Sequence, residues 1–340
     1  RGDRTDLKAG QYRFEAGVPM ASVLSTVLSG RSFLHKLTFP EGWTSQQIVA
    51  RVQAAKNLSG EISAMPGEGT LLPDTYSFPD GMDRQGVIDQ LLDAQRSLLA
   101  KAWENRQEGL PFKTPEEALI LASIVEKETG KKNERRLVAG VFVNRLRKGM
   151  RLQSDPTIIY GIVGGKGSLG RPIYKSDIAK TTPYNTYRID GLPPTPISNP
   201  GRAAILAVLN PAETKALFFV ADGTGGHTFS ETLAQHNKAV AVWRKIEKAA
   251  RARAAKKAKL KAAQDAAEKE AAARKAAQKA AAEKLAASQA DASGRLPKLV
   301  NATASEAVTA SGQLSTGDAT QQSPPATIMR NVPPPIRNPR

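Results

Sequence analysis

The chain has 340 residues, enough for one or two domains with real cores. It contains no cysteine, which excludes a disulfide framework and a cysteine-based zinc site. The formal net charge is +17, but 19 of the 49 Lys/Arg and only 8 of the 32 Asp/Glu lie from Arg244 onward, so most of the excess sits in the last part of the chain.

Tyr12 and Phe14 alternate with polar neighbours and predict a short strand. Pro19 opens a helical stretch with Val23, Leu24, Val27 and Leu28 on one stripe, stopped by Gly30. Phe33, Leu37 and Phe39 share one face of a period-two pattern and predict a second strand. Thr44 is a good cap for a helix carrying Ile48, Val49 and Val52. Residues 7–56 thus read as strand–helix–strand–helix, a small α/β module. Residues 57–80 are rich in Gly, Pro and Ser and read as a connecting loop. Val87, Leu91, Leu92, Leu98 and Leu99 mark a helix of several turns.

The next helix has a clear start: Thr114 caps, Pro115 fits the first helical position, and Glu117 stands where a capping box places its acid. Residues 118–125 are apolar nearly all round, so this helix is predicted to be buried, with Gly130 as its stop. A further helix carries Leu137, Val138, Val141, Phe142 and Leu146. From Met150 the texture predicts short strands and loops. Ala203–Leu209 reads as a short helix, Leu217–Ala221 as a strand, and Gly225–Phe229 as a turn into its partner strand. Leu233 begins a helix that runs on through an Ala-rich stretch to about residue 287. It lacks an apolar stripe and is therefore exposed or marginal. Residues from Ser293 onward read as disordered.

Glu128 is the residue best placed for chemistry. On a wheel of about 100° per residue it shares a side with Leu121, Ile124, Val125 and Glu117, while Glu126 points nearly the opposite way. It continues an apolar stripe at the C-terminal end of a buried helix. Desolvation and the negative end of the helix dipole both favour the protonated acid there. A carboxylic acid held protonated near neutral pH is what protonation of a glycosidic oxygen requires. The alternative is a structural glutamate paired with Arg135, Arg136 or Arg145. Glu126 is expected to pair with a lysine or to be solvated. Gln153, Ser154 and Asp155 lie in a polar stretch before a proline, and Tyr184, Asn185 and Tyr187 combine flat faces with an amide, as sugar sites often do. Each group also fits an ordinary turn, and Asp155 fits a helix cap or an Asx-turn. His35, His227 and His236 are too scattered for a metal motif, so the reading is free of metal and cofactor.

Taken together, LILASIVEKET (119–129), VFVNRLRKGMRLQSDPTIIYG (141–161), YNTYRIDGLPP (184–194), SNPG (198–201) and FVADGTGGHTF (219–229) resemble the YceG-like family, the endolytic murein transglycosylases. The resemblance covers about residues 7–245. It implies a peptidoglycan lyase that cuts nascent strands between N-acetylmuramic acid and N-acetylglucosamine, with Glu128 matching the family's catalytic glutamate. It also implies a LysM-like subdomain at the start of the chain. Family members are held in the inner membrane by one N-terminal helix and work in the periplasm beside the elongating synthases. Here no apolar run approaches the roughly 20 residues of a membrane helix, and the chain starts at Arg1, so an anchor upstream is left open.

The expected fold class is α+β. A LysM-like subdomain over 1–60 precedes a mixed helical and short-strand catalytic domain over 61–248. An exposed Ala/Lys/Glu-rich helix over 249–292 and a disordered tail over 293–340 follow. Glu128 is the expected acid, with Gln153, Asp155, Tyr184, Asn185 and Tyr187 at the substrate. The partners are peptidoglycan strands, the synthases of elongation, and an anionic membrane or wall polymer for the basic tail. A specific nucleic-acid partner is disfavoured, because no aromatic residue interleaves the basic run from Arg251 to Lys284. Two rivals remain: a non-catalytic wall-binding module with a structural glutamate, and a muramidase-type hydrolase using Asp155 as second carboxylate.

Overall fold

The computed structural model describes residue 8, residues 10–30 and residues 32–293, with side chains to residue 287. The expected disorder over 294–340 lies outside the described residues. One unit runs to Arg244 and a second begins at Lys245.

In the first unit, α1 (Met20–Ser29) starts after Pro19 and ends at Gly30, whose φ of 68° supplies the left-handed turn. None of its residues is buried. The strand expected at Tyr12 and Phe14 does not form. That segment is irregular, with the Phe33 N–H donating to the Gln11 carbonyl at 2.6 Å, and one such bond makes no ladder. The second expected strand is present as β1 (Leu34–Thr38), followed by α2 (Ser45–Gln53). Thr44 and Gln47 close a full capping box at the start of α2.

The loop reading of 57–80 is corrected. The segment holds β2 (Leu58–Ser59) and β3 (Thr75–Pro79), and β4 (Met82–Asp83) follows. β3 pairs antiparallel with β1, Leu37 opposite Tyr76 and His35 opposite Phe78. Pro79 at its end, with Pro73 and Gly81 on either side, masked a short strand that carries only two large alternating residues. β2 pairs with β4 in parallel.

α3 (Arg84–Glu104) serves two cores. Its first half, through Val87, Ile88 and Leu91, packs with Leu37, Phe39, Ile48, Val52, Leu71 and Phe78. A boundary at residue 60 therefore runs through this cluster and leaves half of it behind. The second half of α3, through Leu98 and Ala102, joins the larger core. That core is built by α4 (Pro115–Glu128), α5 (Arg135–Arg147) and, further along, α8 (Arg202–Leu209). Gly140 of α5 allows the chain to approach closely: a Cβ there would lie 2.6 Å from the Ala212 carbonyl oxygen. Between α5 and α8 lie α6 (Asp155–Val163) and α7 (Lys175–Ala179), where strands and loops were expected. Ser154-Asp155-Pro156 is a helix start of the same kind as Thr114-Pro115, with an acid and a proline in the first turn.

α4 begins as predicted, the Glu117 N–H donating to Thr114 Oγ1 at 3.2 Å. The Glu117 carboxylate, however, reaches the Lys113 N–H at 2.6 Å, one residue before the cap. The helix ends because Thr129 is extended (φ −139°, ψ 132°), and Gly130 supplies no left-handed cap. β5 (Phe218–Ala221) and β6 (His227–Ser230) form the expected antiparallel hairpin.

α9 (Leu233–Ser293) closes the described chain. From Lys248 to Ala287 every side chain is exposed. Helix-forming Ala, Lys and Glu hold it, together with ion pairs one turn apart such as Glu247–Arg251 (2.8 Å) and Glu270–Arg274 (2.7 Å). Among the described residues no helix is long and apolar enough to cross a membrane.

Candidate active site

The stripe that carries Glu128 is fully buried: Leu121, Ile124 and Val125 are inaccessible, and one turn further Glu128 keeps 8% of its surface. α6 meets it there. Ser154, itself 1% exposed, sits at the N-cap of α6 yet does not cap it with its side chain. Its hydroxyl instead donates to Glu128 Oε1 at 2.6 Å. A hydrogen bond this short holds the carboxyl in one orientation.

A knot of buried hydroxyls holds Ser154 in place. Its N–H donates to Thr186 Oγ1 (2.9 Å), Thr157 Oγ1 lies 2.9 Å from the same oxygen, and Thr157 also donates to the Ser154 carbonyl (2.6 Å). The Gln153 N–H donates to the Thr186 carbonyl at 3.1 Å. Gln153 is the non-glycine residue with positive φ (53°) among the described residues. Such a conformation costs on the order of 1–3 kcal/mol and persists only where its surroundings enforce it, which is common beside functional groups. The Gln153 side chain is exposed.

Tyr187 brings Asp155 into the same corner, its phenol donating to Asp155 Oδ1 at 2.7 Å. Burial, and then the Asp155 carboxylate, push the Tyr187 phenol well above its ordinary value, so it stays a donor. Asp155 also lies in the first turn of α6, at the positive end of the helix. Arg145 of α5 supplies the local cation. Its Nε donates to the Leu217 carbonyl (2.6 Å), its Nη1 to those of Leu152 (2.8 Å) and Arg151 (3.3 Å), and its guanidinium lies 5.3 Å from the Phe218 ring centroid. Burial lowers it to about 10, while nearby Tyr187 and Glu128 act the other way, so it remains charged at neutral pH.

The expected substrate residues divide. Gln153 and Asp155 flank Ser154 in the chain, and Tyr187 bonds to Asp155. Tyr184 stands further along, its ring 5.0 Å from that of Tyr160 and its hydroxyl 2.8 Å from Thr195 Oγ1. Asn185 needs correction. It is 1% exposed, and its amide hydrogens are spent on the carbonyls of Asp177 (3.2 Å), Ile178 (3.0 Å) and Lys180 (2.6 Å). It shapes the loop from within and has no donor left for a sugar.

Glu126 needs correction too. It points away from Glu128, as the wheel requires, but into the protein. Its side chain is 6% exposed, 3.3 Å from Arg135, and accepts from the Gly201 N–H at 3.0 Å. Arg135 also reaches Glu41 (3.5 Å), while Arg136 Nε donates to the Asn210 carbonyl (2.8 Å). Sequence reasoning missed Thr186, named Arg145 only as one of three possible ion-pair partners for Glu128, and noted Ser154 only within a polar stretch before a proline. The available signal was Ser-Asp-Pro as a helix start, which would have buried Ser154 at a cap.

One carboxyl at the end of a buried helix, oriented by a hydroxyl and flanked by a phenol, a second carboxylate and a fixed guanidinium, is equipped for proton transfer. The chain belongs to the YceG-like family, whose sequence model matches residues 1–242. It is 30% identical over 263 residues to the endolytic murein transglycosylase of Bacillus subtilis (strain 168), covering 68% of this chain and 72% of that protein. It is 32% identical over 273 residues to the endolytic murein transglycosylase of Streptococcus pneumoniae serotype 2, covering 66% and 48%. The chain thus matches about half the length of that relative. A crystal structure of a yceG-like protein from Listeria monocytogenes is 30% identical, with a TM-score of 0.49 over 68% of this chain and 85% of that one.

Proposed function

We propose that this chain is an endolytic peptidoglycan lytic transglycosylase in which Glu128 acts first as acid and then as base. The observation that carries the reading is the Ser154–Glu128 contact, a buried carboxyl locked at 2.6 Å beside an exposed, strained Gln153. Relatives named endolytic murein transglycosylase support the same reading.

In the proposed step the Glu128 carboxyl gives its proton to the oxygen joining C1 of N-acetylmuramic acid to the next sugar. The C1–O bond breaks, and the leaving sugar departs with a free hydroxyl. The Glu128 carboxylate then takes the proton from the muramic acid's own 6-hydroxyl, whose oxygen bonds to C1. The product end is a 1,6-anhydro sugar, and no water is consumed. Because the nucleophile belongs to the same sugar, proximity supplies what a second carboxylate supplies in a hydrolase. Arg145 balances the carboxylate formed midway.

Ser154→Ala tests the orientation of the acid. Losing one hydrogen bond costs about 0.5–1.5 kcal/mol, so turnover is expected to fall about 2- to 10-fold. Muropeptide release from purified peptidoglycan measures this, and parent-like turnover would show that Ser154 does not orient the acid.

Asp155 supports a second reading, a muramidase-type hydrolase, because a second carboxylate does lie next to Ser154 and is held by Tyr187. The chemical nature of the new ends separates the two.

We place the enzyme at the inner membrane, facing the periplasm, beside the synthases whose strands it shortens. For α9 we propose contact with an anionic membrane or wall polymer, since the stretch from Lys248 to Lys261 carries seven Lys/Arg and no acid. Truncation after Lys248 is expected to leave cleavage of soluble glycan fragments unchanged and to remove salt-sensitive binding to anionic vesicles or sacculi. Sedimentation across a salt series checks this. Equal binding by the truncated chain would contradict it.

A further inference from the structure

A half-buried carboxylate outside the Glu128 corner, Glu68, bonds to α6 directly and to a loop that is itself bonded to α4. Glu68 lies in the segment between β2 and β3. It accepts from the Ser45 N–H (2.8 Å), the Ser45 hydroxyl (3.3 Å), the Asn199 amide (3.1 Å) and the Tyr160 hydroxyl (3.3 Å). Burial pushes its carboxyl above the ordinary value despite these donors. A desolvated carboxylate with this many donors is costly to place and hard to move.

The three donor residues come from three parts of the fold, with Ser45 at the start of α2. Tyr160 is on α6, whose other end carries Ser154. The C-terminal end of α6 is held by the same neighbourhood: Thr44 Oγ1 donates to the Gly165 carbonyl (2.7 Å) and Gln46 to that of Gly164 (3.0 Å). Asn199 is fully buried in the 197–201 loop, which is wired to α4. There the Ile197 N–H donates to Ser123 Oγ (3.0 Å) and the Gly201 N–H to Glu126 (3.0 Å). Ser123 and Glu126 are on α4, which ends at Glu128.

Resting on the functional reading above, we propose that Glu68 is a positioning residue that fixes α4 and α6 against one another and so sets the Ser154–Glu128 contact. It touches no reacting atom. The small N-terminal module, through Thr44, Ser45, Gln46 and Glu68, is on this account part of the catalytic frame as well as a separate core.

The test compares Glu68→Ala, Glu68→Gln and Tyr160→Phe in the full chain acting on purified peptidoglycan. Misplacement by about 1 Å can cost about 100-fold, so Glu68→Ala is expected to lower kcat on that scale with KM little changed. Glu68→Gln is expected to restore most of kcat. Its oxygen still accepts from Ser45 and Asn199, and the Tyr160 hydroxyl can accept from its amide. A merely structural residue would give parallel losses in stability and in both constants, with no such rescue. Where Glu68→Ala does not fold, Tyr160→Phe decides, with a smaller fall in kcat expected. A folded Glu68→Ala or a Tyr160→Phe variant with parental kcat overturns the proposal. If the parent itself releases no product, the functional reading fails, and amide hydrogen exchange still decides the positioning claim. Faster exchange along Asp155–Val163 in Glu68→Ala is expected, and unchanged exchange overturns it.

Discussion

Glu128→Gln is expected to abolish cleavage of peptidoglycan while leaving the fold nearly intact. The amide is isosteric and can still accept from the Ser154 hydroxyl, so the local packing survives. It has no proton to give to the glycosidic oxygen and cannot recover one from the 6-hydroxyl. Removal of a positioned acid–base typically costs a factor of about 10²–10⁴, and here the same group serves both halves of the reaction. Turnover on purified strands and thermal unfolding of the same preparation check both parts. A variant that cuts at the parental rate would remove Glu128 from the chemistry.

Glu126→Ala is expected to do the reverse, with a large loss of stability. Its carboxylate and Arg135 are both 6% exposed in their side chains, and the Gly201 N–H depends on it as well. Removing Glu126 leaves the buried Arg135 with only the longer contact to the more exposed Glu41, at a cost toward the lower end of about 3–5 kcal/mol. Burial raises the Glu126 carboxyl above 4.5, offset in part by Arg135. Its folded value is therefore above its unfolded one. The stability tied to its protonation is complete below the unfolded value and is lost as pH rises through the folded value. Denaturant midpoints across that interval are expected to fall less steeply in Glu126→Gln than in the parent. The two glutamates are two residues apart in sequence, yet one change acts on the rate and the other on the fold.

How far this was legible follows from the kind of signal each residue gave. The α4 start was readable because Thr114, Pro115 and Glu117 act through local backbone chemistry. The side occupied by Glu128 was readable because helical periodicity is a local rule. The same wheel placed Glu126 opposite, but the expected lysine partner or solvated position gave way to Arg135 and the Gly201 N–H. The exposed stripe of α4 is narrow, carrying Glu116 and Lys127, and Glu126 lies outside it, meeting Gly201 at the start of α8, a contact 75 residues away in sequence. β3 was hidden because a five-residue strand that ends on a proline has too few alternations to register, and only pairing with β1 defines it. Asn185 was assigned by residue type. Its three carbonyl partners lie within eight residues, a loop closure that composition does not reveal. Ser154 and Arg145 owe their roles to partners 26 and 72 residues away, Glu128 and Leu217, which only the folded chain supplies.

The central claim is that one carboxylate performs the cut through the sugar's own hydroxyl. Mass spectrometry of the ends released from purified peptidoglycan tests it most directly. The account predicts muramic acid ends lighter by one water, in the 1,6-anhydro form, appearing with the parent and missing with Glu128→Gln. Reducing ends carrying the added water, and dependent on Asp155, would contradict it.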